Sequence, residues 1–169
     1  MFTIQRILVP TDFSELSRHA ALHARSLAET HRAALHVVHV IPSDWEPTLV
    51  PEVGTIMPAE QVRDRAKKLL DTFISNSLAG LDSPITTSVL SGTEAGEISR
   101  YASEEAIDVI VVGTHARGLV KRIFRGSISK AVLEKAPCPV LMVPIVIAHG
   151  HGGAEGVKTC LPAGTANCG

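Results

Sequence analysis

The chain has 169 residues, 45% apolar and 20% charged, with a formal net charge of −1. That length suits one ordinary domain whose core folds without disulfides or metal, and the apolar content excludes a disordered chain. A near-neutral balance and 4% aromatics give no sign of a basic face for nucleic acid or a stacking platform for bases.

Residues 4–9 read as a strand that stops at Pro10-Thr11-Asp12. Ser14 is placed to cap a helix over 15–30, with Leu16, Ala20, Ala24, Leu27 and Ala28 on one face. Residues 34–41 form a second strand; His36 and His39 fall on its opposite faces and cannot easily share a metal. Four prolines (Pro42, Pro47, Pro51, Pro58) and Trp45 make 42–58 a long irregular loop. Pro58 opens a second helix to Leu78, with Val62, Ala66, Leu69, Phe73 and Leu78 as its stripe, and Gly80 stops it. Alternation over 84–90 behind Pro84 predicts a half-exposed edge strand. Thr93 caps a third helix to Ala106, and 107–112 is a nearly all-apolar strand, as expected when both faces are covered. A basic, glycine-containing stretch over 113–126 leads to a short helix at 127–136 and a fifth strand at 139–143.

Strands alternating with helices predict an α/β fold: an open five-stranded parallel sheet with helices on both faces, spanning 1–145. Residues 146–169, rich in glycine and carrying His149 and His151, are expected to be a flexible tail. Cys138, Cys160 and Cys168 are too few for a disulfide framework, and the tail's His and Cys spacing matches no zinc motif, so no metal is assigned. The N-terminus lacks a signal-peptide pattern, and the apolar run at 139–148 is shorter than the roughly 20 residues that span a bilayer. The expectation is a cytoplasmic protein with no membrane or nucleic-acid partner.

In open parallel sheets, ligands bind at the carboxyl ends of strands where the strand order reverses. Two strand ends carry unusual chemistry: Pro10-Thr11-Asp12, and the stretch from Gly113 onward. No acidic residue stands between Gly113 and Leu133, while His115, Arg117, Lys121, Arg122, Arg125 and Lys130 do. Gly113, Gly118 and Gly126 permit close backbone approach, and Gly126-Ser127 opens a helix whose free N–H groups suit an anion. Phosphate is the natural ligand, although a glycine loop ahead of a helix is also a common structural feature. The P-loop and dinucleotide-fingerprint patterns are both absent.

ILVPTDFS at 7–14, HVI at 39–41, VVGTHARG at 111–118 and RGSISKAVLEKAPCPVLMVP at 125–144 together resemble the universal stress protein family. The resemblance covers nearly all of 1–144. It implies a Rossmann-like sheet of order 3-2-1-4-5, which sets the first and fourth strands side by side. The family's nucleotide-binding branch is similar to G-x2-G-x9-G-[S/T], here Gly113, Ala116 in place of the second glycine, and Gly126-Ser127. ATP, with Mg2+, is the implied ligand. Thr11 and Asp12 would face the adenosine, Val40 the base, and His115 the phosphate path. Pro10, Val112, Ala116, Arg117, Gly118, Ser127 and Ile128 complete the implied nucleotide site. If position 116 needs a positive φ, alanine costs about 1–2 kcal/mol there, and Gly118 lets the loop relax.

The resemblance implies a regulatory stress-response binder with little or no turnover. Asp12 is the one acidic residue near the implied phosphates, too little for two-metal chemistry, and no base stands beside Ser127 in sequence. A nucleotidyl-transferring enzyme would carry a dedicated motif where PTDFS stands. The alternative is a member of the same family that has lost ATP and acts as a dimeric interaction module, which Ala116 keeps open. Val140, Leu141, Met142 and Val143 form an apolar edge, which predicts a homodimer through the fifth strand.

Overall fold

The computed structural model describes residues 3–43, 49–50, 55–56, 58–115 and 128–145. The elements run β1 (Arg6–Pro10), α1 (Glu15–His31), β2 (Ala34–Pro42), β3 (Leu49–Val50), β4 (Thr55–Ile56), α2 (Ala59–Ser77), β5 (Ile85–Gly92), α3 (Glu94–Glu104), β6 (Val109–His115), α4 (Ile128–Lys135) and β7 (Val140–Ile145). Five of the strands form one sheet in the order β5-β2-β1-β6-β7, every pair parallel. Counted along the chain, this is the order 3-2-1-4-5. β5 lies at one edge, as its alternation predicts, and β7 at the other.

Successive residues of the central strands feed opposite faces, the period-two rule of a pleated sheet. Ile7, Val9, Leu35, Val37, Val109 and Val111 pack under α1 and α2. Leu8, Val38, Val40, Ile110 and Val112 pack against α3 and α4. Both faces are covered, which is why these strands read as continuous apolar runs.

The buried face of α1 is made of small residues: Ser17, Ala20, Ala21, Ala24 and Ala28. Leu16 and Leu27, expected in that stripe, lie at its margin half-buried. Small side chains let the helix axis sit close to the sheet. In α2 the core residues are Ala66, Leu70, Phe73 and Ser77. Leu69, expected on that face, points outward with 44% exposure. Ser14 caps α1 as predicted, its hydroxyl accepting from the Ser17 N–H. Thr93 precedes α3 without a side-chain cap; its backbone carbonyl accepts from the Glu97 N–H at 2.8 Å.

Two differences from the sequence reading concern the strands. The 42–58 segment, expected to be irregular, contains the antiparallel pair β3–β4, with Leu49 opposite Ile56 and Val50 opposite Thr55. The paired residues Leu49, Val50, Thr55 and Ile56 are mostly β-branched, which suits them to a strand. β6 and β7 also run on together to His115 and Ile145, past their expected ends. At the β7 edge, Val143 is only 3% exposed and belongs to the core beneath α1, whereas Leu141 is 40% exposed. Of the four residues expected to meet a second copy, Val143 is therefore already used within the fold. No helix among the described residues is long and apolar enough to cross a membrane. The tail at 146–169 lies outside the described residues.

Candidate functional site

β1 ends at Pro10, level with Val38 of β2. Its neighbours do not stop there. β2 continues, paired with β5, to Pro42, and β6 continues, paired with β7, to His115. A notch is thereby left above the end of β1, at the point where the strand order reverses. This is the position at which open α/β sheets bind ligands. Val40 and Val112 flank the notch on the two neighbouring strands, both nearly buried on the α3/α4 side. Pro10 lies between them, half-buried.

The turn that closes β1 is heavily cross-linked. The Thr11 N–H continues the sheet ladder to the Val38 carbonyl at 2.8 Å. The Thr11 hydroxyl donates to Ser17 Oγ and accepts from the Phe13 N–H, both at 3.0 Å. His39 Nδ1 donates to the Thr11 carbonyl at 2.8 Å. Thr11 is 5% exposed, so it serves the notch as a brace and has no free hydroxyl to offer.

Asp12 is exposed and faces outward from the same turn. Its carboxylate accepts from the Ser14 N–H at 3.0 Å and the Ser14 hydroxyl at 2.5 Å. Crowding by the turn opposes ionisation, but hydrogen bonds from Ser14 and Ser17 outweigh it and hold the carboxyl below its ordinary range. Asp12 is thus a fixed, charged acceptor at the mouth of the notch, suited to hydroxyl groups or to a hydrated cation.

Phe13 carries the geometric cost of this turn, with φ at 63°, a left-handed conformation for a bulky residue. Its ring lies 4.4 Å from that of His39 and 6.2 Å from that of Phe73. Sequence reasoning overlooked Phe13, Ser17 and His39 as supports of the site. The pattern Asp-x-Ser just ahead of a helix is the signal that could have found the turn.

Gly113 stands on β6 where α1 crosses it. A β-carbon there would lie 2.3 Å from the Leu16 carbonyl oxygen and 2.6 Å from its carbon. The Gly113 carbonyl accepts from the Ser129 hydroxyl at 3.0 Å, which ties the first turn of α4 to the rim of the notch. His115 and Ile128 lie on β6 and α4 at that rim. Ala116, Arg117, Gly118, Gly126 and Ser127 lie outside the described residues. What the structure brings together is Pro10, Asp12, Val40, Val112 and Gly113 around one notch, with Thr11 beneath it.

The sequence pattern of the universal stress protein family matches residues 3–144. The chain belongs to the universal stress protein family. Among its relatives, a universal stress protein of Thermus aquaticus is 34% identical over 138 residues, covering 81% of this chain and 96% of the relative. A universal stress protein of Methanocaldococcus jannaschii is 32% identical over 146 residues, covering 82% of this chain and 81% of the relative. Among solved structures, the M. jannaschii protein MJ0577 superposes with a TM-score of 0.67 at 26% identity, covering 85% of this chain and 97% of that one. Two further universal stress proteins share the fold at 20% identity. One, solved in complex with cAMP, has a TM-score of 0.64 and covers 84% of this chain and 98% of its own. The other, from Archaeoglobus fulgidus in complex with dAMP, has a TM-score of 0.60 and covers 85% and 99%.

Proposed function

We propose that this universal stress protein binds ATP, with Mg2+, in the notch above β1 and acts as a regulatory stress-response module with little or no turnover. The observation that carries the reading is the notch itself: a switch-point crevice with a fixed, ionised Asp12 at its mouth. Asp12 suits the ribose hydroxyls, and Pro10, Val40 and Val112 form an apolar margin for the base. The phosphates would lie along 113–127, where Arg117, Lys121, Arg122 and Arg125 supply positive charge. Nucleotides in the solved relatives support a nucleotide here. Magnesium, when bound, would offset phosphate charge; Asp12 is the acidic residue of the notch available to it through water. No acid–base pair is assigned to the notch, so binding rather than turnover is the proposed activity.

Two observations favour a second reading, in which the chain has lost ATP and works as a dimeric interaction module. Ala116 replaces a glycine of the family's nucleotide pattern, and Gly113 is already required by the packing of α1 on β6. The exposed Leu141 on the β7 edge supplies such a module with a contact. Mass spectrometry of nucleotide released from freshly purified protein separates the two. Released ATP supports the first reading. Its absence, with no uptake of added ATP, supports the second.

A further inference from the structure

His19, half-buried, and His23, exposed, stand one turn apart on α1, with ring centroids 4.7 Å apart and planes at 63°. Residues at i and i+4 of a helix are surface neighbours. Two imidazoles bound to one metal ion at about 2.0–2.1 Å in cis positions have ring centroids roughly 4.5–5 Å apart. The observed separation of 4.7 Å falls in that range.

The hydrogen bonding also fits ligation. His23 Nδ1 donates to the His19 carbonyl at 3.1 Å. That bond holds the proton on Nδ1 and leaves Nε2 as the lone-pair nitrogen, the role a backbone carbonyl plays for metal-bound histidines. The Arg18 guanidinium beside the pair is held by Glu15 at 2.5 Å, which offsets its repulsion of a cation. The remaining side chains of α1 provide no third ligand: among the described residues, no group of three or more His, Cys, Asp or Glu is placed to hold a metal.

We infer that His19 and His23 form a two-nitrogen site for a late first-row divalent ion of the Ni2+, Cu2+ or Zn2+ class, with water completing the coordination. The imidazole donors select this class over Mg2+ and Ca2+, which prefer oxygen. Neither histidine is among the described residues that bound the notch, and the assignment does not depend on nucleotide binding.

The test uses Ni2+ alone, which does not oxidise thiols, on the full chain. His149→Ala and His151→Ala are introduced together as the background, to remove the histidines of the tail. Calorimetric titration of that background should show Ni2+ binding. Adding His23→Ala should remove one equivalent or weaken it at least tenfold, and adding His19→Ala should do the same. Saturating Ni2+ should raise the melting temperature of the background but not of the His23→Ala protein, because the ion links two turns of α1. Circular dichroism checks that each variant is folded. A background that binds no Ni2+, or a titration unchanged by His23→Ala, overturns the assignment.

Discussion

The backbone carbonyl of Leu16, in the first turn of α1, occupies the space where a side chain on Gly113 would begin. The close approach joins the two halves of the notch: the helix that follows β1 and the strand end that leads into the basic segment. Gly113→Ala would drive its β-carbon into backbone atoms, which cannot rotate away. Either α1 lifts or β6 bends, at a cost of about 1–3 kcal/mol, typical of overpacking. The expected outcome is a lower melting temperature together with weaker nucleotide binding. An unchanged melting temperature would show that α1 does not hold this position.

Thr11 tests the brace beneath the notch. Thr11→Val keeps the shape and removes both hydroxyl bonds, to Ser17 Oγ and from the Phe13 N–H. Without that acceptor, the left-handed Phe13 loses the bond that favours its conformation. A loss of about 1–3 kcal/mol is expected for an unsatisfied buried group, read by urea denaturation. Nucleotide affinity should fall as well, because Asp12 sits on the same turn.

His36 gives the stability a pH dependence. It is buried under α3, its Nδ1 3.0 Å from the Tyr101 hydroxyl. Burial pushes its pKa down, Glu105 opposes this, and Arg6 adds to it. A histidine whose folded pKa lies below its unfolded one binds more protons when unfolded. Its contribution is therefore intact above the ordinary histidine value of about 6.5 and is lost as pH falls from there toward the folded pKa. Melting temperature should drop between neutral and mildly acidic pH, and the drop should be shallower in His36→Leu. Parallel curves for the two proteins would show that another group titrates.

The fifth strand of the sheet, β7, is an edge, and Leu141 is its exposed large apolar residue. Edge strands of this kind pair or are covered. The expected assembly is a homodimer through this edge. Val143 is a poor place to probe it, because a charge there would break the core. Leu141→Lys should convert dimer to monomer in sedimentation while the circular dichroism spectrum stays the same. A monomeric wild type at micromolar concentration, or a Leu141→Lys protein that remains dimeric, would exclude this edge.

The five-stranded sheet was legible because strands covered on both faces leave long valine- and isoleucine-rich runs, such as 107–112, punctuated by Pro10, Gly80 and Gly113. Helix faces were read less well. Leu69 and Leu70 are adjacent and equally apolar, and what selects Leu70 is its alignment with Ala66, Phe73 and Ser77. Ser77 hid that alignment because it is polar, although it is fully buried and its hydroxyl has no partner among the described residues. In α1 the close packing of alanines displaced the leucines that hydrophobicity favours. The notch was legible in its position, from PTDFS and Gly113, but not in its construction. Thr11 is buried and Asp12 exposed because successive residues at a strand end alternate, but the positive φ of Phe13 that closes the turn is announced by no property of phenylalanine.

The central claim is that the notch above β1 takes a nucleotide. Calorimetric titration of the nucleotide-free full chain with ATP and Mg2+ tests it most directly, with Asp12→Ala and Ala116→Gly measured alongside. Saturable binding at one ATP per chain is predicted, weakened in Asp12→Ala and tightened in Ala116→Gly. No heat from ATP at high protein concentration, or binding indifferent to Asp12, would contradict it.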